Sequence, residues 1–434
     1  MNIVILNGLA YILSFFLYQR KKGVVDVGTF IYALFAFSAL GSVWYYSLEY
    51  VDQYYPNITF LPFLYLWILI NVCLYPMYRS NFEKIHCIDS EGIGALLDFL
   101  SIYLITFSLL PLISLVLKFS ISDMVGDTLG EMYEVGGDKA EYYFSGISKI
   151  SFALIRRFGD LAIVLFFYQI SKKRRNRWLV LGLLLSNAFF FLFSLVSGSR
   201  GGMLATLFVF VALGLFLKKC FDESIFLKLK KMAITITIII GIMIAMISIS
   251  RFNYSVAEKS STATLDRWIS QYIGEGYIRF NDDLWNVDKR MHGSQNFYYF
   301  KTLVGKGSVR DYPTEMRMYE TKLSVPVTVF YTFIGDLYLD FGLLGTCFCA
   351  ILFALSFSTI LHSKSGRINI SQLMLLSICM HMLSFGFAAN LYRSAYIQRD
   401  TMILIILAII LYFIQKTNKY LINKRKLNVT HYSL

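Results

Sequence analysis

Long runs of apolar residues, separated by short polar segments, recur from one end of the chain to the other. Many runs reach about 18 residues or more, the length that an α-helix needs to cross the hydrocarbon part of a bilayer. The pattern predicts an all-α polytopic membrane protein with eleven transmembrane helices. Their expected bounds are about 2–18, 25–46, 60–77, 95–117, 151–170, 178–196, 202–217, 232–250, 339–361, 371–389 and 400–415.

Two long polar segments interrupt this pattern. The first, at about 118–150, is acidic, and Asp127, Glu131 and Glu134 have the spacing of a surface helix. The second, 251–338, is the largest and mixes both signs of charge with many aromatic residues, so we expect it to carry function. The predicted organisation is membrane helices 1–8 in residues 1–250, a large extracytoplasmic loop in 251–338, and helices 9–11 with a cytoplasmic tail in 339–434.

Composition agrees with a membrane protein. Of the 434 residues, 56% are hydrophobic and 16% are charged, whereas soluble domains carry roughly 25% charged residues. The first apolar run lacks a basic segment before it and ends at Arg20, Lys21 and Lys22. We therefore expect it to be the first span, not a cleaved signal peptide.

Basic residues predict the orientation. They concentrate in alternate connections such as "KKRRNR" at 172–177, whereas "SLEYVDQYYPNITF" at 47–60 has none. Because short cytoplasmic loops collect lysine and arginine, the N-terminus is expected outside and the C-terminus in the cytoplasm. The same rule accounts for the net charge of +13, so we predict no nucleic-acid partner.

Arginines at predicted outer positions need another reason, because arginine should be depleted there. Arg200 lies in the turn "SGSRGG" at 197–202, before the seventh span. Glycines let the backbone approach a ligand, the helix N-terminus presents free N–H groups, and a guanidinium matches phosphate. This combination predicts an outward-facing anion site; the alternative is a tight turn whose arginine reaches lipid headgroups. Further outer arginines are Arg156, Arg157, Arg251, Arg279 and Arg393.

Carboxylates near these arginines are candidates for proton transfer. Asp160 follows Arg156 by four residues, which predicts an ion pair on one helical face. Asp336, at the start of the ninth span, is either a general base or an N-terminal helix cap, and Asp340 is a weaker candidate. His381, in the tenth span, is either a proton acceptor or a packing residue.

A lipid diphosphate that carries sugars would match an anion site at the outer boundary of the membrane beside an aromatic loop. Arginines would hold the diphosphate, aromatic rings would stack on sugars, and a carboxylate would take a proton from an acceptor hydroxyl. The chain has no Walker A pattern, no dinucleotide fingerprint and no H-E-x-x-H. We therefore expect no nucleotide or metal cofactor.

Three segments, "SGSRGG" (197–202), "QYIGEGYIRFNDDLW" (271–285) and "GDLYLDFGLLG" (335–345), resemble those of the O-antigen polymerase (Wzy-type) family of bacterial repeat-unit polymerases. The resemblance implies a fold like the GT-C membrane glycosyltransferases, in the bacterial inner membrane. It also implies inverting glycosyl transfer, in which a growing chain leaves undecaprenyl diphosphate and joins the end sugar of a new lipid-linked unit. The positions that match are Arg200, Tyr272, Gly274, Arg279, Asp336, Tyr338 and Gly342.

We expect these residues to form a site with a catalytic group and a substrate-binding group. Asp336 and Arg200 are the predicted catalytic residues, and the predicted substrate-binding residues are Arg156, Arg157, Arg251, Tyr272, Arg279, Tyr338 and Arg393. The expected partners are the lipid-linked oligosaccharide, the bilayer and a chain-length regulator.

Other functions remain open. A ligase that moves the finished chain to another acceptor has the same chemistry, whereas a flippase or exporter of lipid-linked units and an envelope scaffold do not. A transporter needs a charged pathway to both faces, and the predicted charges crowd the outer side, which favours an enzyme.

Overall fold

The computed structural model describes residues 1–49, 51–118, 143–196, 200–255, 261–308, 311–363 and 365–432. Most of them are α-helical. The helices are α1 Asn2–Lys22, α2 Val27–Tyr46, α3 Val51–Tyr54, α4 Phe60–Arg79, α5 Gly94–Lys118, α6 Gly146–Ile155, α7 Gly159–Ser171, α8 Arg177–Val196, α9 Arg200–Phe216, α10 Glu223–Ser255, α11 Ser261–Arg279, α12 Tyr298–Leu303, α13 Tyr312–Leu323, α14 Thr332–Leu361, α15 Ile370–Phe385 and α16 Ala395–Tyr432.

Several helices have the length and composition of membrane spans. Within the described residues, seven qualify: α1, α2, α4, α5, α8, α14 and α16. The predicted polytopic helical membrane protein is confirmed at this level. The count of eleven stays a prediction, because α9 and α15 are shorter apolar helices and the predicted eighth span lies inside α10. The predicted acidic surface helix, with Asp127, Glu131 and Glu134, falls outside the described residues.

The predicted fifth span, 151–170, is wrong as one continuous helix. It is divided into α6 and α7, which are separated by residues 156–158. Arg156 follows the end of α6, and Asp160 lies in the first turn of α7. The helical spacing that predicted their pairing on one face therefore does not apply.

Two short strands among the described residues depart from the all-α prediction. Strands β1 Cys87–Asp89 and β2 Arg367–Asn369 form a two-stranded parallel sheet, in which Ile88 is paired with Ile368. Lys419 of α16 forms an ion pair with Asp89, and Gln415 donates to the Asp89 carbonyl at 3.0 Å. These bonds attach α16 to the sheet.

The chain forms two compact units. The first contains Met1–Asn81, Ser248–His362 and Cys379–Arg399, and the second contains Phe82–Ile247, Ser363–Ile378 and Asp400–Leu434. In the first unit, α2 begins at a strong cap: the Asp26 side chain accepts from the Thr29 backbone N–H at 2.9 Å. Tyr18 of α1 donates to the same carboxylate at 2.9 Å, which joins the first two helices.

Helix α11 packs directly on α2 in the first unit. Gly274 faces Gly41, and a Cβ built at Gly274 would lie 2.2 Å from the Gly41 carbonyl carbon, so only glycine permits this approach. Ser38 of α2 donates to the Ile273 carbonyl beside it. Residues 261–279 of the predicted large loop thus form a helix that is held against a membrane-type helix.

Helix α14 bends at Gly342, whose φ of 64° and ψ of −166° are not helical. This conformation is essentially restricted to glycine. Asp336 and Asp340 both precede the bend, and the part of α14 after it carries the long apolar stretch. The bend therefore separates the part of the helix that carries two aspartates from its apolar remainder.

Candidate functional site

The carboxylate of Asp336 is the centre of a buried polar network in the first unit. Its side chain has no exposed surface. One carboxylate oxygen accepts from the Asn390 backbone N–H at 2.6 Å, and the other accepts from the Gln295 amide at 3.1 Å and lies 3.4 Å from Nη1 of Arg393. In this arrangement, the carboxylate of Asp336 therefore presents no surface to solvent.

Backbone pairing at the start of α14 places Asp336 there. The Thr332 N–H donates to the Ala388 carbonyl at 3.0 Å and the Phe333 N–H to the Gly386 carbonyl at 2.8 Å. The chain after α15 consequently runs beside the first turn of α14 and brings Asn390 to Asp336. Tyr331 is the N-terminal flanking residue of α14, so Asp336 lies inside the helix. The alternative role as an N-terminal cap is wrong.

Asp340 holds the turn that precedes α12. Its carboxylate accepts from the backbone N–H groups of Gln295 at 3.1 Å and Asn296 at 2.7 Å, and from the Asn296 amide at 2.7 Å. Consecutive N–H groups of this kind form a concave site for an anion. The Asn296 amide also donates to the Asp336 carbonyl. Asp340 is therefore tied to the protein on several sides.

Arg393 is fixed by three acceptors. Its guanidinium donates to the carbonyls of Val329 at 2.6 Å and Thr328 at 2.9 Å, in addition to the ion pair with Asp336. Tyr312 of α13 donates to the Arg393 carbonyl at 2.6 Å. The side chain keeps 20% of its surface exposed, so a rigidly held cation remains accessible from outside the protein.

A second charged cluster lies at the end of α11. Arg279 forms ion pairs with Glu275 and with Asp283, whose Oδ2 lies 3.4 Å from Nη1. The Arg279 guanidinium also lies 5.9 Å from the centre of the Tyr55 ring. Glu275 is nearly buried at 6% exposure, whereas Arg279 and Asp283 keep 17% and 19%. The exposed edge of this cluster is therefore formed by Arg279 and Asp283.

Electrostatics distinguish the members of this cluster. Burial raises the pKa of Asp283, against the lowering effect of Arg279, while Asp282 and Glu275 raise it further. Burial lowers the pKa of Arg279, but Glu275 and Tyr55 outweigh it, so the net direction is upward. Arg279 is a permanent cation, and Asp283 holds its proton more readily than an exposed aspartate.

Tyr331 lies beside both charged clusters. Burial raises its pKa, and Asp283, Arg279 and Asp336 all act on it electrostatically. Its hydroxyl donates to the Pro326 carbonyl at 2.7 Å. Asp336 is paired with Arg393, and Asp283 is paired with Arg279. We refer to these two pairs and Tyr331 together as the charged region around Tyr331.

A π-helical turn, Phe280–Leu284, continues α11 and orients the acidic residues. Asn281 binds the backbone of Thr59 on both sides, accepting from its N–H at 2.9 Å and donating to its carbonyl at 2.7 Å. Asp282 accepts from the Asn57 N–H at 2.6 Å. Such turns are frequent at functional sites. Here it directs Asp282 toward the backbone before α4 and Asp283 toward Arg279.

The predicted tyrosine ligands lie in aromatic contacts. Tyr338 is buried, stacks on Trp285 at 5.8 Å and donates to the Trp285 carbonyl at 3.0 Å. Tyr272 is half-buried and contacts Phe330 edge to face at 5.1 Å. Tyr338 therefore has no free ring face for a sugar in this arrangement, whereas Tyr272 is partly accessible.

The other predicted arginines are distributed between the two units. Arg156 and Arg157 lie in the second unit, where Nε of Arg157 is 3.4 Å from Asp400. Arg200 begins α9 in the second unit and Arg251 lies in the part of α10 assigned to the first. The side chains of Arg200 and Arg251 lie outside the part of the protein that the structure describes, and so do residues 197–199.

Sequence analysis overlooked Asp283 and the network residues Gln295, Asn296 and Asn390. Only Asp283 had a local signal, because Glu275, Arg279 and Asp283 follow one another at intervals of four. Among the described residues, no group of three or more His, Cys, Asp and Glu side chains is placed to hold a metal ion.

Among the described residues, two surface grooves lie apart from Asp336, Arg393 and Arg279. An open polar groove of about 460 Å³ is lined by Asp311, Thr314, Glu315, Met318, Tyr319 and Lys322. An apolar groove of about 370 Å³ is lined by Trp67, Ile68, Asn71, Val72, Tyr75, Ile351, Ala354 and Leu355. The charged region around Tyr331 is described by its side chains and their exposure.

Comparison with known proteins finds no family model, curated protein or solved structure that matches the chain. The resemblance to the Wzy-type polymerases stays an expectation from the three sequence segments.

Proposed function

We propose that the chain is a membrane glycosyltransferase that joins undecaprenyl-diphosphate-linked repeat units into a bacterial surface polysaccharide. The transfer would take place at the outer face of the inner membrane and would invert the anomeric carbon. The observation that carries the proposal is the charged region around Tyr331, where Arg279 and Arg393 are held by buried carboxylates. Two of the three segments that resemble the family, 271–285 and 335–345, supply most of this region.

Arg393 is the strongest candidate to bind the diphosphate. Its three acceptors hold the guanidinium in place, so it loses little freedom when it pairs with phosphate oxygens. A preorganised cation stabilises the charge that develops as the diphosphate leaves. Arg156, Arg157, Arg200 and Arg251 remain predicted additional contacts.

Asp336 fits the role of positioning Arg393 better than that of a base. Its side chain is fully buried, and both carboxylate oxygens accept hydrogen bonds. A carboxylate in this environment fixes its partners but does not meet an acceptor sugar. The general-base role remains a prediction, and the burial does not favour it.

The proposal can be tested in cells by measuring on which leaflet of the membrane the lipid-linked units accumulate. With Arg393→Ala, we expect polysaccharide to be lost and single units to accumulate on the outer leaflet. Accumulation on the cytoplasmic leaflet would instead indicate a flippase. If polymer of normal length forms but is not transferred to its final acceptor, the chain is a ligase with the same chemistry.

A further inference from the structure

We propose that Asp283 is the general base of the transfer. The proposal depends on the glycosyltransferase function proposed above and assigns a residue to its proton transfer. Asp283 lies in the π-helical turn after α11, at the exposed edge of the cluster with Arg279 and Glu275.

Accessibility together with the contact to Arg279 selects Asp283 among the carboxylates of this region; Asp282 is also partly exposed but is directed to the Asn57 N–H. A general base needs an oxygen that the acceptor hydroxyl can approach. Asp336 is fully buried, and Asp340 is enclosed by the N–H groups of the turn before α12. Glu275 is nearly buried and accepts from both Arg279 and Gln271. Asp283 keeps 19% of its side-chain surface, and its contact with Arg279 is long at 3.4 Å.

The charged surroundings also suit a base. Burial raises the pKa of Asp283, and the groups that act on it are Arg279, Asp282 and Glu275, with Tyr331 beside them. A carboxylate with a raised pKa accepts a proton more readily than an exposed aspartate. Arg279 keeps it ionised before the reaction, since an opposite charge nearby favours the charged form.

Two separate arginines allow donor and acceptor to bind at different places. In an inverting transfer, the acceptor hydroxyl attacks the face of the anomeric carbon opposite to the leaving group. Arg393 would hold the diphosphate, while Asp283 and Arg279 would face the acceptor sugar. The π-helical turn packs against the start of α14 beside Tyr331: a Cβ added at Gly335 would lie 2.8 Å from Cβ of Tyr331 and 3.2 Å from Cδ2 of Phe280.

The proposed step forms one glycosidic bond and breaks one bond to phosphate. The acceptor oxygen forms a bond to the anomeric carbon of the donor sugar. The bond between that carbon and the diphosphate oxygen breaks, and undecaprenyl diphosphate leaves with the electron pair. The proton of the acceptor hydroxyl passes to the Asp283 carboxylate, which later releases it to water.

The test compares Asp283→Asn with Asp288→Asn in purified full-length protein supplied with a synthetic polyprenyl-diphosphate oligosaccharide. Asp288 is exposed and lies in the same loop, so its substitution changes the charge equally. We expect Asp283→Asn to lower the turnover number at least about 100-fold with unchanged binding of the lipid-linked substrate, and Asp288→Asn to behave as the wild type. Turnover of Asp283→Asn at the wild-type rate would overturn the assignment, and so would a loss explained by weaker binding.

A second measurement needs no variant. Because the base must be deprotonated and burial raises its pKa, wild-type turnover should fall as the pH drops through a value above the usual range of aspartate. Turnover that stays constant through that range would contradict the assignment. A wild-type protein that makes no polymer would contradict the glycosyltransferase proposal itself, so the two failures are distinguishable.

Discussion

Nη1 of Arg393 lies 3.4 Å from Oδ1 of Asp336, and the side chain of Asp336 has no exposed surface. A partly exposed cation is therefore held by an anion that solvent does not reach. Because the carbonyls of Thr328 and Val329 bind the same guanidinium, its position is set before any ligand arrives. The proposed function depends on this arrangement.

Arg393→Lys tests whether the guanidinium itself is needed. Lysine keeps the charge but cannot bind Asp336 and two carbonyls in one plane. We expect polymer formation by the purified protein to fall at least about tenfold, consistent with the loss of one charge-assisted hydrogen bond of about 1.5–3 kcal/mol. Arg399→Lys, in the first part of α16, is the control and should keep its activity. Equal activity of both variants would show that Arg393 is not a phosphate ligand.

Asp336→Ala tests how much the ion pair between Asp336 and Arg393 contributes to the stability of the fold. Removing one partner leaves Arg393 and the donors of Asn390 and Gln295 without their acceptor, so we expect a loss of about 3–5 kcal/mol in the free energy of unfolding. Denaturation of the purified protein in detergent measures this value. Asp288→Ala, at an exposed position, should change it by less than about 0.5 kcal/mol.

A double-mutant cycle measures how strongly Asp336 and Arg393 stabilise the protein through each other. If Asp336 acts through Arg393, the combined Asp336→Ala and Arg393→Ala variant should lose less stability than the sum of the two single variants. Strictly additive losses would show that the two residues act independently.

Gly274→Ala tests the close approach of α11 to α2. The added methyl group would lie 2.2 Å from backbone atoms of Gly41 and Ser42, so α11 would have to move away from α2. We expect lower stability and lower activity together, since α11 carries Arg279. Gly241→Ala is the matched control, because nothing lies within 4 Å of the atom that it adds. A Gly274→Ala protein as stable as this control would contradict the packing.

Gly342→Ala tests the bend in α14. Its φ of 64° and ψ of −166° are unfavourable for alanine by about 1–3 kcal/mol. The new methyl group would also lie 2.7 Å from Nε of Arg290. We expect a lower denaturation midpoint than for Gly241→Ala. An unchanged midpoint would mean that α14 runs straight through this position.

Apolar runs allowed the helical membrane class to be predicted, because span length follows directly from bilayer thickness. The break at 156–158 was not predictable from hydrophobicity, since the residues on both sides are equally apolar. Glycines in the segments 271–285 and 335–345 had been assigned to a family motif. The structure gives two of them physical roles, Gly274 in helix packing and Gly342 in the bend.

The network around Asp336 was less predictable. Its donors Gln295 and Asn390 come from segments about 40 and 50 residues away in sequence, and no periodic pattern connects them. The interval of four residues from Glu275 through Arg279 to Asp283 was visible in the sequence. The sequence does not show that Asp283 is more accessible than Asp336, Asp340 and Glu275, because burial depends on the folded structure.

The most direct test of the central claim is an assay of the purified wild-type protein with a synthetic undecaprenyl-diphosphate oligosaccharide and no nucleotide. Products are separated by size, and the Arg393→Ala variant is run beside the wild type. We predict a ladder of lengthened lipid-linked chains with release of undecaprenyl diphosphate by the wild type, and none by Arg393→Ala. An unchanged substrate with the wild-type protein, or equal ladders from both proteins, would contradict the account.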